Sequence, residues 1–495
     1  MSERVAVIGA GPAGIAAARY LKGQGFAPVL FEAHDAPGGQ WNRENPKSGV
    51  WPGMRTNTAR MVTKLSDADY PAGTALFPRN GEVLAMLQTV AERFGLLEDA
   101  RFGAEVTGLA RGGAGWRLTW RDGQGEHAES FPRAVVATGR FNRPWAPEVP
   151  GLESFSGTLG VRHSFDYDGP EAWRGKRVVI AGGATSAVEI ASDLAMAGAA
   201  GVHVAQRRQR YVIPKVVAGV PIEYLGLTLR AARAVETAPP DRLAADRDRF
   251  IKEIGGNPAA YGCPPADPDV EKAGVTGCPY YLDLVAEDRI AVHPWIARVE
   301  GRRIIFADGG HVEADGILMA TGFRLSLPFL SDEIARTVRL SPTDMELAEF
   351  TLHPDLPGLA FLGLWPQFGP YMVALEQQAR FVAYAWGGAI AMPDATKLRA
   401  ALRPLSATGV PGGGHQAHVM ALHFARLAGV APPETLARRP VLDRSPVTGE
   451  TFRVAGPNAD PGAETRLRRD FDLFAPADAR AGPAGLPRRD GSDAA

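Results

Sequence analysis

The chain has 495 residues, a length that predicts about two or three domains with sizeable hydrophobic cores. Its formal net charge is −1 at pH 7, so charge gives no reason to expect nucleic acid or an anionic membrane surface as a partner. Hydrophobic residues make up 45% of the chain and charged residues 22%, as in ordinary soluble globular proteins.

The chain contains two cysteines, Cys263 and Cys278, which are too far apart in sequence for a C-x-x-C redox motif. No cluster of histidine and cysteine at metal-ligand spacing accompanies them, so a metal site is not expected. The low cysteine content also argues against a disulfide framework. Since the sequence shows neither a signal peptide nor an apolar run of membrane-spanning length, we expect a cytoplasmic protein without a membrane anchor.

A glycine-rich turn lies between the first apolar strand and the first helix. Residues 5–8 form a short apolar run typical of a buried parallel strand, and residues 15–21 continue as a helix. The turn follows the pattern G-x-G-x-x-G and consists of Gly9, Gly11, Pro12, Ala13 and Gly14. In this pattern the first glycine allows the tight turn, the second lets the backbone approach a pyrophosphate, and the third lets helix and strand pack closely. The pattern therefore predicts a dinucleotide at the positive end of the helix.

Glu32 ends the second predicted strand, about twenty residues beyond the glycines. A carboxylate at this position accepts a hydrogen bond from a ribose hydroxyl, which favours a dinucleotide-binding unit over an ordinary glycine-rich turn. Gly39, Gln40 and Trp41 follow in a Pro-Gly-Gly-Gln-Trp segment, where small residues let the backbone pass close to a cofactor. On its own, this segment would be interpreted as a surface turn.

A second strand–turn–helix unit begins at residue 176 and repeats the first with one change. Gly182 supplies the tight turn, but Ala184 occupies the position of the middle glycine and permits a less free approach of a phosphate. The helix that follows begins with Thr185, Ser186 and Ala187. The next strand leads into Gln206-Arg-Arg-Gln-Arg210, so Arg207 stands where NAD-binding units carry an acid. Because a guanidinium group suits a 2′-phosphate, this predicts NADP rather than NAD; the alternative is a solvated basic turn.

The remaining periodicity predicts an α/β fold. Helices are expected over residues 80–94, 186–197, 241–254, 374–386 and 415–428, and antiparallel strands over residues 101–131 are expected to lie on the first sheet. Two buried strands end in Ala-Thr-Gly, at residues 137–139 and 320–322. His415, His418 and His423 fall on the last helix, where a solvated face is expected. Residues beyond 430 are rich in Pro, Ala, Arg and Asp, which predicts an extended or disordered tail.

Taken in order, these motifs resemble the flavin-containing monooxygenases, which are class B flavoprotein monooxygenases, over roughly residues 1–430. The resemblance rests on residues 9–14, 32, 38–41, 56–57, 66–67, 135–139, 155–167, 182–187, 320–323 and 376–380. The 155–167 segment departs from the family motif F-x-G-x-x-x-H-x-x-x-Y or F, because two extra residues separate Gly157 from His163. Tyr167, rather than tryptophan, ends that segment, which favours the heteroatom-oxidising branch over the Baeyer–Villiger branch.

The resemblance implies two Rossmann-like dinucleotide-binding domains, one for FAD and one for NADPH, with the second inserted in the first. The expected limits are residues 1–170 for the first part of the FAD-binding domain and 171–311 for the NADPH-binding domain, which includes an irregular region at 214–282. Residues 312–430 would complete the FAD-binding domain, and residues 431–495 would form the tail. A homodimer is one candidate oligomeric state, because dimers are common in that family.

The resemblance also implies the chemistry. NADPH would reduce FAD, the reduced flavin would form a C4a-hydroperoxide with O2, and oxygen would pass to a nucleophilic amine nitrogen or sulfide sulfur of a small molecule. Asn57 is the expected catalytic residue, since its amide can both donate and accept hydrogen bonds near the flavin and the nicotinamide. The expected cofactor-binding residues are Gly9, Gly11, Pro12, Ala13, Gly14, Glu32, Gly39, Gln40, Trp41, Thr56, Asn57, Val106, Gly182, Thr185, Ser186, Ala187, Arg207 and Gln378.

Three alternatives remain open at this point. A Baeyer–Villiger monooxygenase acting on ketones is the nearest. A flavin reductase or oxidase is more distant, and the missing C-x-x-C motif argues against disulfide chemistry. A redox-sensing flavoprotein is the third, against which the second dinucleotide unit argues.

Overall fold

The chain is described by a computed structural model that covers residues 2–407 and 415–477. Its first sheet contains four parallel strands, in the spatial order Ala27–Phe31, Arg4–Ile8, Arg133–Val136 and Leu359–Phe361. The strands are apolar along nearly their whole length because helices and a second layer of strands cover both faces of the sheet.

The second sheet contains five parallel strands, in the order Ala291–Pro294, Gly201–Gln206, Arg177–Ala181, Gly316–Met319 and Gly160–His163. The last two strands lie outside the predicted NADPH-binding limits of 171–311, so the second sheet begins before residue 171 and ends after residue 311. The reason is physical: a buried strand that ends in Ala-Thr-Gly has the same pattern in either parallel sheet, and its membership depends on its neighbours. The chain returns to the first unit through Phe323–Arg324, which pairs with Arg143–Pro144 on the way out.

Antiparallel strands form separate layers. Glu105–Gly112, Gly115–Asp122 and Gly125–Phe131 form a three-stranded meander. It packs on the first sheet as predicted, with the ring centroids of Phe31 and Trp120 5.0 Å apart. A second meander consists of Ile296–Glu300, Arg303–Phe306 and His311–Glu313. Short paired strands are Tyr211–Ile213 with Val275–Gly277, Val216–Val217 with Val220–Pro221, and Glu346–Ala348 with Leu402–Pro404.

Helices cover the sheets at the positions that periodicity predicts, with ends that differ by a few residues. The predicted helices are observed as Asn80–Arg93, Thr185–Met196, Pro240–Gly255, Tyr371–Gly387 and Ala417–Leu427, and the first helix spans Pro12–Gly23. Shorter helices are Ile222–Gly226, Leu229–Thr237, Val270–Ala273, Tyr281–Ala286, Asp332–Thr337 and Ala395–Ala400. Single 3₁₀ turns are Gly39–Trp41, Leu152–Ser154, Ser164–Asp166, Glu171–Trp173 and Pro258–Tyr261. The buried helix Tyr371–Gly387 contacts both Pro12–Gly23 and Ala417–Leu427, and so forms the centre of the larger core.

The predicted extended or disordered tail is wrong for residues 431–477. That segment contains the helices Glu434–Ala437, Pro440–Arg444 and Ala463–Phe474 and a 3₁₀ turn at Glu450–Phe452. Buried ion pairs attach it to the rest of the molecule: Glu450 Oε1 lies 2.7 Å from Lys64 Nζ, and Arg453 Nη1 lies 2.6 Å from Asp67 Oδ1. Because these partners are almost 400 residues away in sequence, local composition does not reveal them. Residues 478–495 lie outside the described residues.

The histidine-bearing face of the helix Ala417–Leu427 is not solvated, contrary to prediction. His418 is only 3% exposed, and burial lowers its pKa to about 4. His423 Nε2 lies 2.8 Å from Glu349 Oε2. His415, just before the helix, meets the ring of Phe350 edge-on, with centroids 5.6 Å apart. These histidines are therefore part of the core and its border.

Candidate active site

The two glycine turns lie at the carboxyl ends of their sheets. Gly9 has a φ of +103°, and a Cβ atom there would lie 2.7 Å from the carbonyl oxygen of Ala137, so no other residue fits. A Cβ atom at Gly14 would overlap the carbonyl oxygen of Gly9. Gly9 thus supplies the tight turn, and Gly14 permits the close approach of helix and strand, as predicted.

Gly11 has a different reason to be glycine. It is the N-cap residue of Pro12–Gly23, with an ordinary φ of −78°, and a Cβ atom there would meet protein only at 3.5 Å, on the Cα of Gly39. Ala184 is the N-cap of Thr185–Met196 and has nearly the same backbone, with a φ of −95°. The protein itself therefore tolerates alanine at this position, and glycine in the first turn fits the close approach of a ligand phosphate.

A first cavity of about 590 Å³ opens at the end of the first sheet. Ten of the predicted residues line it: Gly9, Gly11, Pro12, Ala13, Glu32, Gly39, Gln40, Asn57, Val106 and Thr185. The Glu32 carboxylate is 7% exposed and accepts hydrogen bonds from the amides of Ala10, at 2.8 Å, and His34, at 3.0 Å. It thus fixes the glycine turn to the second strand while it borders the cavity.

A second cavity of about 610 Å³ opens at the end of the second sheet. The predicted residues Gly182, Thr185, Ser186 and Arg207 line it, together with Gln40 and Asn57. The Arg207 guanidinium lies 4.9 Å from the centre of the Trp295 ring, and no carboxylate within residues 2–407 and 415–477 forms an ion pair with it. Arg208, in contrast, already donates a hydrogen bond to the Lys272 carbonyl oxygen at 2.7 Å. Arg207 is therefore a cation available to a phosphate in this cavity.

Asn57 stands where the two cavities meet. Six residues line both cavities, namely Gln40, Lys47, Asn57, Phe141, Thr185 and Gln367. The Asn57 side-chain oxygen is buried and has no hydrogen-bond partner among the described residues. The hydroxyl of Thr138, which lines the first cavity, is likewise buried and has no hydrogen-bond partner among the described residues. An unpaired buried acceptor costs about 1–3 kcal/mol, so these atoms fit a site whose bound cofactors supply the missing partners.

Five predicted cofactor residues do not line either of these two cavities: Gly14, Trp41, Thr56, Ala187 and Gln378. Trp41 Nε1 donates to the Tyr371 hydroxyl at 2.8 Å, and that tyrosine lines the first cavity in its place. The fully buried Gln378 accepts hydrogen bonds from the Gly363 amide, at 3.0 Å, and from Trp365 Nε1, at 3.2 Å. Gly363 lines the first cavity, so Gln378 supports the wall of that cavity through this hydrogen bond.

His163 and Tyr167, in the altered linker segment, have structural partners. His163 Nδ1 accepts from the Phe165 amide at 3.0 Å, and Nε2 lies 3.0 Å from the Gly322 carbonyl oxygen. Burial lowers the pKa of His163, so the imidazole is neutral at pH 7. The Tyr167 hydroxyl donates to Asp193 Oδ2 at 2.6 Å. Neither residue lines the first or the second cavity.

Three residues shared by both cavities were missed, namely Lys47, Phe141 and Gln367. Phe141 follows the strand Arg133–Val136, and Gln367 follows the strand Leu359–Phe361. The signal that could have found them is position, since the residues just beyond the carboxyl ends of parallel strands border the ligand crevice.

Two glycine turns with adjoining cavities and a shared amide define a protein that holds two nucleotide cofactors side by side. The family model described as flavin-binding monooxygenase-like matches residues 2–404. The chain is 27% identical over 413 residues to dimethylaniline monooxygenase [N-oxide-forming] 2 from Rattus norvegicus, covering 81% of this chain and 76% of the relative. It is 28% identical over 422 residues to flavin-containing monooxygenase 5 from Oryctolagus cuniculus, covering 80% and 75% of the two chains.

Solved structures show the same fold. S-allyl-L-cysteine S-oxygenase from Allium sativum matches with a TM-score of 0.64 and 23% identity, over 96% of this chain and 99% of the other. The ε-caprolactone-bound structure of cyclohexanone monooxygenase matches with a TM-score of 0.64 and 18% identity, over 87% and 98% of the two chains.

The chain belongs to the flavin-binding monooxygenase-like family, the family of the flavin-containing monooxygenases. It is a monooxygenase whose cofactors are FAD and NADPH. Among the described residues, none of the helices combines the length and the apolar character needed to cross a membrane.

Proposed function

We propose that the chain oxygenates a nucleophilic nitrogen or sulfur atom of a small molecule, with Asn57 as its catalytic residue. FAD would bind in the first cavity and NADPH in the second, and the reduced flavin would supply the oxygen-activating chemistry. The observation that carries the proposal is the Asn57 side-chain oxygen, buried without a partner at the point where both cavities meet. Bound cofactors would pair with this amide, which would in turn fix the nicotinamide beside the flavin.

The lining of the second cavity supports a reaction that is protected from water. The aromatic residues Trp51, Trp145, Phe165 and Phe323 line it, and Phe141, which is 48% exposed, lines both cavities. Excluding water strengthens the polar interactions at the reacting atoms and limits release of hydrogen peroxide. Glu189 is the only carboxylate of this lining, so the cavity offers few groups for acid–base catalysis.

The choice of a heteroatom over a ketone rests on the relatives and on Tyr167. The N-oxide-forming relative and the S-oxygenase oxidise nitrogen and sulfur by name. The two structural neighbours have equal TM-scores, so the fold does not separate heteroatom oxidation from Baeyer–Villiger chemistry. A substrate screen decides: a tertiary amine and a thioether should yield N-oxide or sulfoxide, and formation of an ester from a cyclic ketone alone would overturn the assignment.

Asn57→Leu tests the catalytic role, because leucine is close to asparagine in size but lacks the amide. We expect the variant to retain FAD and to be reduced by NADPH, while product per NADPH falls by at least tenfold. Without substrate, wild-type reduced enzyme mixed with O2 should show a long-lived absorbance band that belongs to neither oxidised nor reduced flavin, and the variant should not. Asn257→Leu, at an exposed position outside both cavities, is the matched control. Normal product formation by Asn57→Leu would refute the assignment.

A further inference from the structure

The irregular region that begins at residue 214 contains a small hairpin. Val216–Val217 pairs with Val220–Pro221, and the amide of Ile222 donates to the carbonyl oxygen of Lys215 at 3.2 Å. This turn brings Lys215 close to Glu223, at the start of the helix Ile222–Gly226. Both side chains are buried, with 8% of Lys215 and none of Glu223 exposed. Lysine and glutamate are almost never buried to this degree without a specific partner.

Lys215 holds one side of the Asn57 loop, which we define as residues 56–59. Its Nζ donates to the carbonyl oxygen of Thr56 at 3.2 Å, which is the peptide that joins Thr56 to Asn57. The same Nζ lies 3.5 Å from Glu189 Oε1, and Glu189 lines the second cavity. The ammonium group of Lys215 therefore connects the lining of the second cavity with the backbone that carries Asn57.

Glu223 holds the other side of the loop. Its Oε1 accepts a hydrogen bond from the amide of Ala59 at 2.8 Å. Burial raises the pKa of Glu223 to about 7, against the opposing effects of this hydrogen bond and of Lys215. Its Oε2 is buried and has no hydrogen-bond partner among the described residues. The carboxyl group thus has one strong contact, and that contact is with the Asn57 loop.

The loop needs such support because it is neither helix nor strand. Backbone groups of a buried loop require partners, and without ladder hydrogen bonds these must come from side chains or neighbouring turns. Burying a cation and a carboxylate is unfavourable by several kcal/mol, so an apolar pair would be at least as good for stability alone. Two buried polar side chains are justified where they fix the position of the loop that lies between their contacts.

We propose that Lys215 and Glu223 are positioning residues that fix Asn57 between the two cavities, by holding Thr56 from one side and Ala59 from the other. The proposal rests on the proposed function of Asn57. It assigns a role in catalysis to the start of the irregular region. Glu189, which lines the second cavity, is connected to the Asn57 loop through its ion pair with Lys215.

The test compares Lys215→Met and Glu223→Leu, which remove the polar groups at similar size, with Glu223→Gln, which keeps the Oε1 acceptor. Lys272→Met and Glu253→Leu, at exposed positions on the same region, are the controls. Hydrogen–deuterium exchange of residues 56–59 in the FAD-bound protein reports the loop directly. We expect at least tenfold faster exchange in Lys215→Met and Glu223→Leu, and wild-type exchange in Glu223→Gln and in both controls.

Coupling is measured in the same samples as product and hydrogen peroxide per NADPH consumed. We expect product to fall at least fivefold in Lys215→Met and Glu223→Leu, with FAD content and the rate of flavin reduction within twofold of wild type, and recovery in Glu223→Gln. Wild-type exchange and coupling in both variants would overturn the proposal. Loss of FAD or of flavin reduction together with coupling would also overturn it, because that result marks a structural role.

Asn57→Leu, measured in parallel, separates this proposal from the one on which it rests. Normal coupling in Asn57→Leu would refute the role of Asn57, whatever the exchange data show. Uncoupling in Asn57→Leu with wild-type behaviour of Lys215→Met and Glu223→Leu would refute the positioning role alone.

Discussion

Replacing Arg207 with methionine should weaken binding of NADPH about tenfold and leave NADH unchanged. Methionine keeps much of the length of the side chain but removes the guanidinium, which lies over Trp295 at 4.9 Å and lines the second cavity. A hydrogen bond to a charged group contributes about 1.5–3 kcal/mol. Because Arg207 is exposed, solvent screening places the loss near the lower limit, and about 1.4 kcal/mol corresponds to a factor of ten.

The assay is anaerobic reduction of the bound flavin, followed by absorbance at increasing NADPH or NADH. The apparent dissociation constant for NADPH should rise, the limiting reduction rate should stay the same, and the NADPH effect should shrink at high salt. Arg208→Met is the control, since Arg208 already donates to the Lys272 carbonyl oxygen, and it should lose less than threefold. An equal loss of affinity for NADPH and NADH in Arg207→Met would refute the reasoning, and would mean that Arg207 is only a solvated charge.

Three further predictions concern buried polar side chains. Gln378→Ala removes the acceptor of the Gly363 amide and of Trp365 Nε1, so the free energy of unfolding, measured by thermal unfolding, should fall by about 2–4 kcal/mol. The purified variant should also carry less FAD. Unchanged FAD content would show that the first cavity does not need this support. Glu223 has a pKa of about 7 in the folded state against 4.5 in the unfolded state, so the folded state binds a proton more tightly. The stability that this group contributes therefore falls by roughly 3 kcal/mol as the pH rises from 4.5 to 7. Urea unfolding at pH 5 and pH 7.5 should show this fall in the wild type and not in Glu223→Gln. His418 has the opposite pH dependence, because its pKa of about 4 in the folded state lies below the unfolded value of 6.5, so its contribution to stability is lost as the pH falls from 6.5 to 4. In a plot of the free energy of unfolding against pH, His418→Gln should therefore reduce the fall at acid pH. An unchanged fall would assign the acid sensitivity to other groups.

The local parts of the fold follow from sequence because their causes are local. Gly14 is fixed by its approach to Gly9 within one strand–turn–helix unit, and Gly9 by the positive φ of that turn, so spacing alone predicts both. Arg207 follows its strand directly, and its place at the second cavity follows from the same unit. The helix Tyr371–Gly387 carries enough apolar residues to be recognised over most of its length.

The parts that sequence did not predict depend on distant partners. Gly316–Met319 looks like a strand of either sheet until its neighbours Arg177–Ala181 and Gly160–His163 are known. The segment 431–477 has few apolar residues, and its ion pairs with Lys64 and Asp67 join opposite ends of the chain. In both cases the deciding interaction is between residues that no window of local sequence contains.

Lys215 shows the same limit at the candidate site itself. In sequence it is a single lysine in a region rich in proline and glycine, and such a lysine is normally solvated. In the folded chain the hairpin buries it against Thr56 and Glu189, so its charge acts on the loop that carries the predicted catalytic amide. Motifs therefore locate most of the predicted residues that line the two cavities, because their geometry is local. The residues that contact the Asn57 loop are found only from the contacts between separate segments.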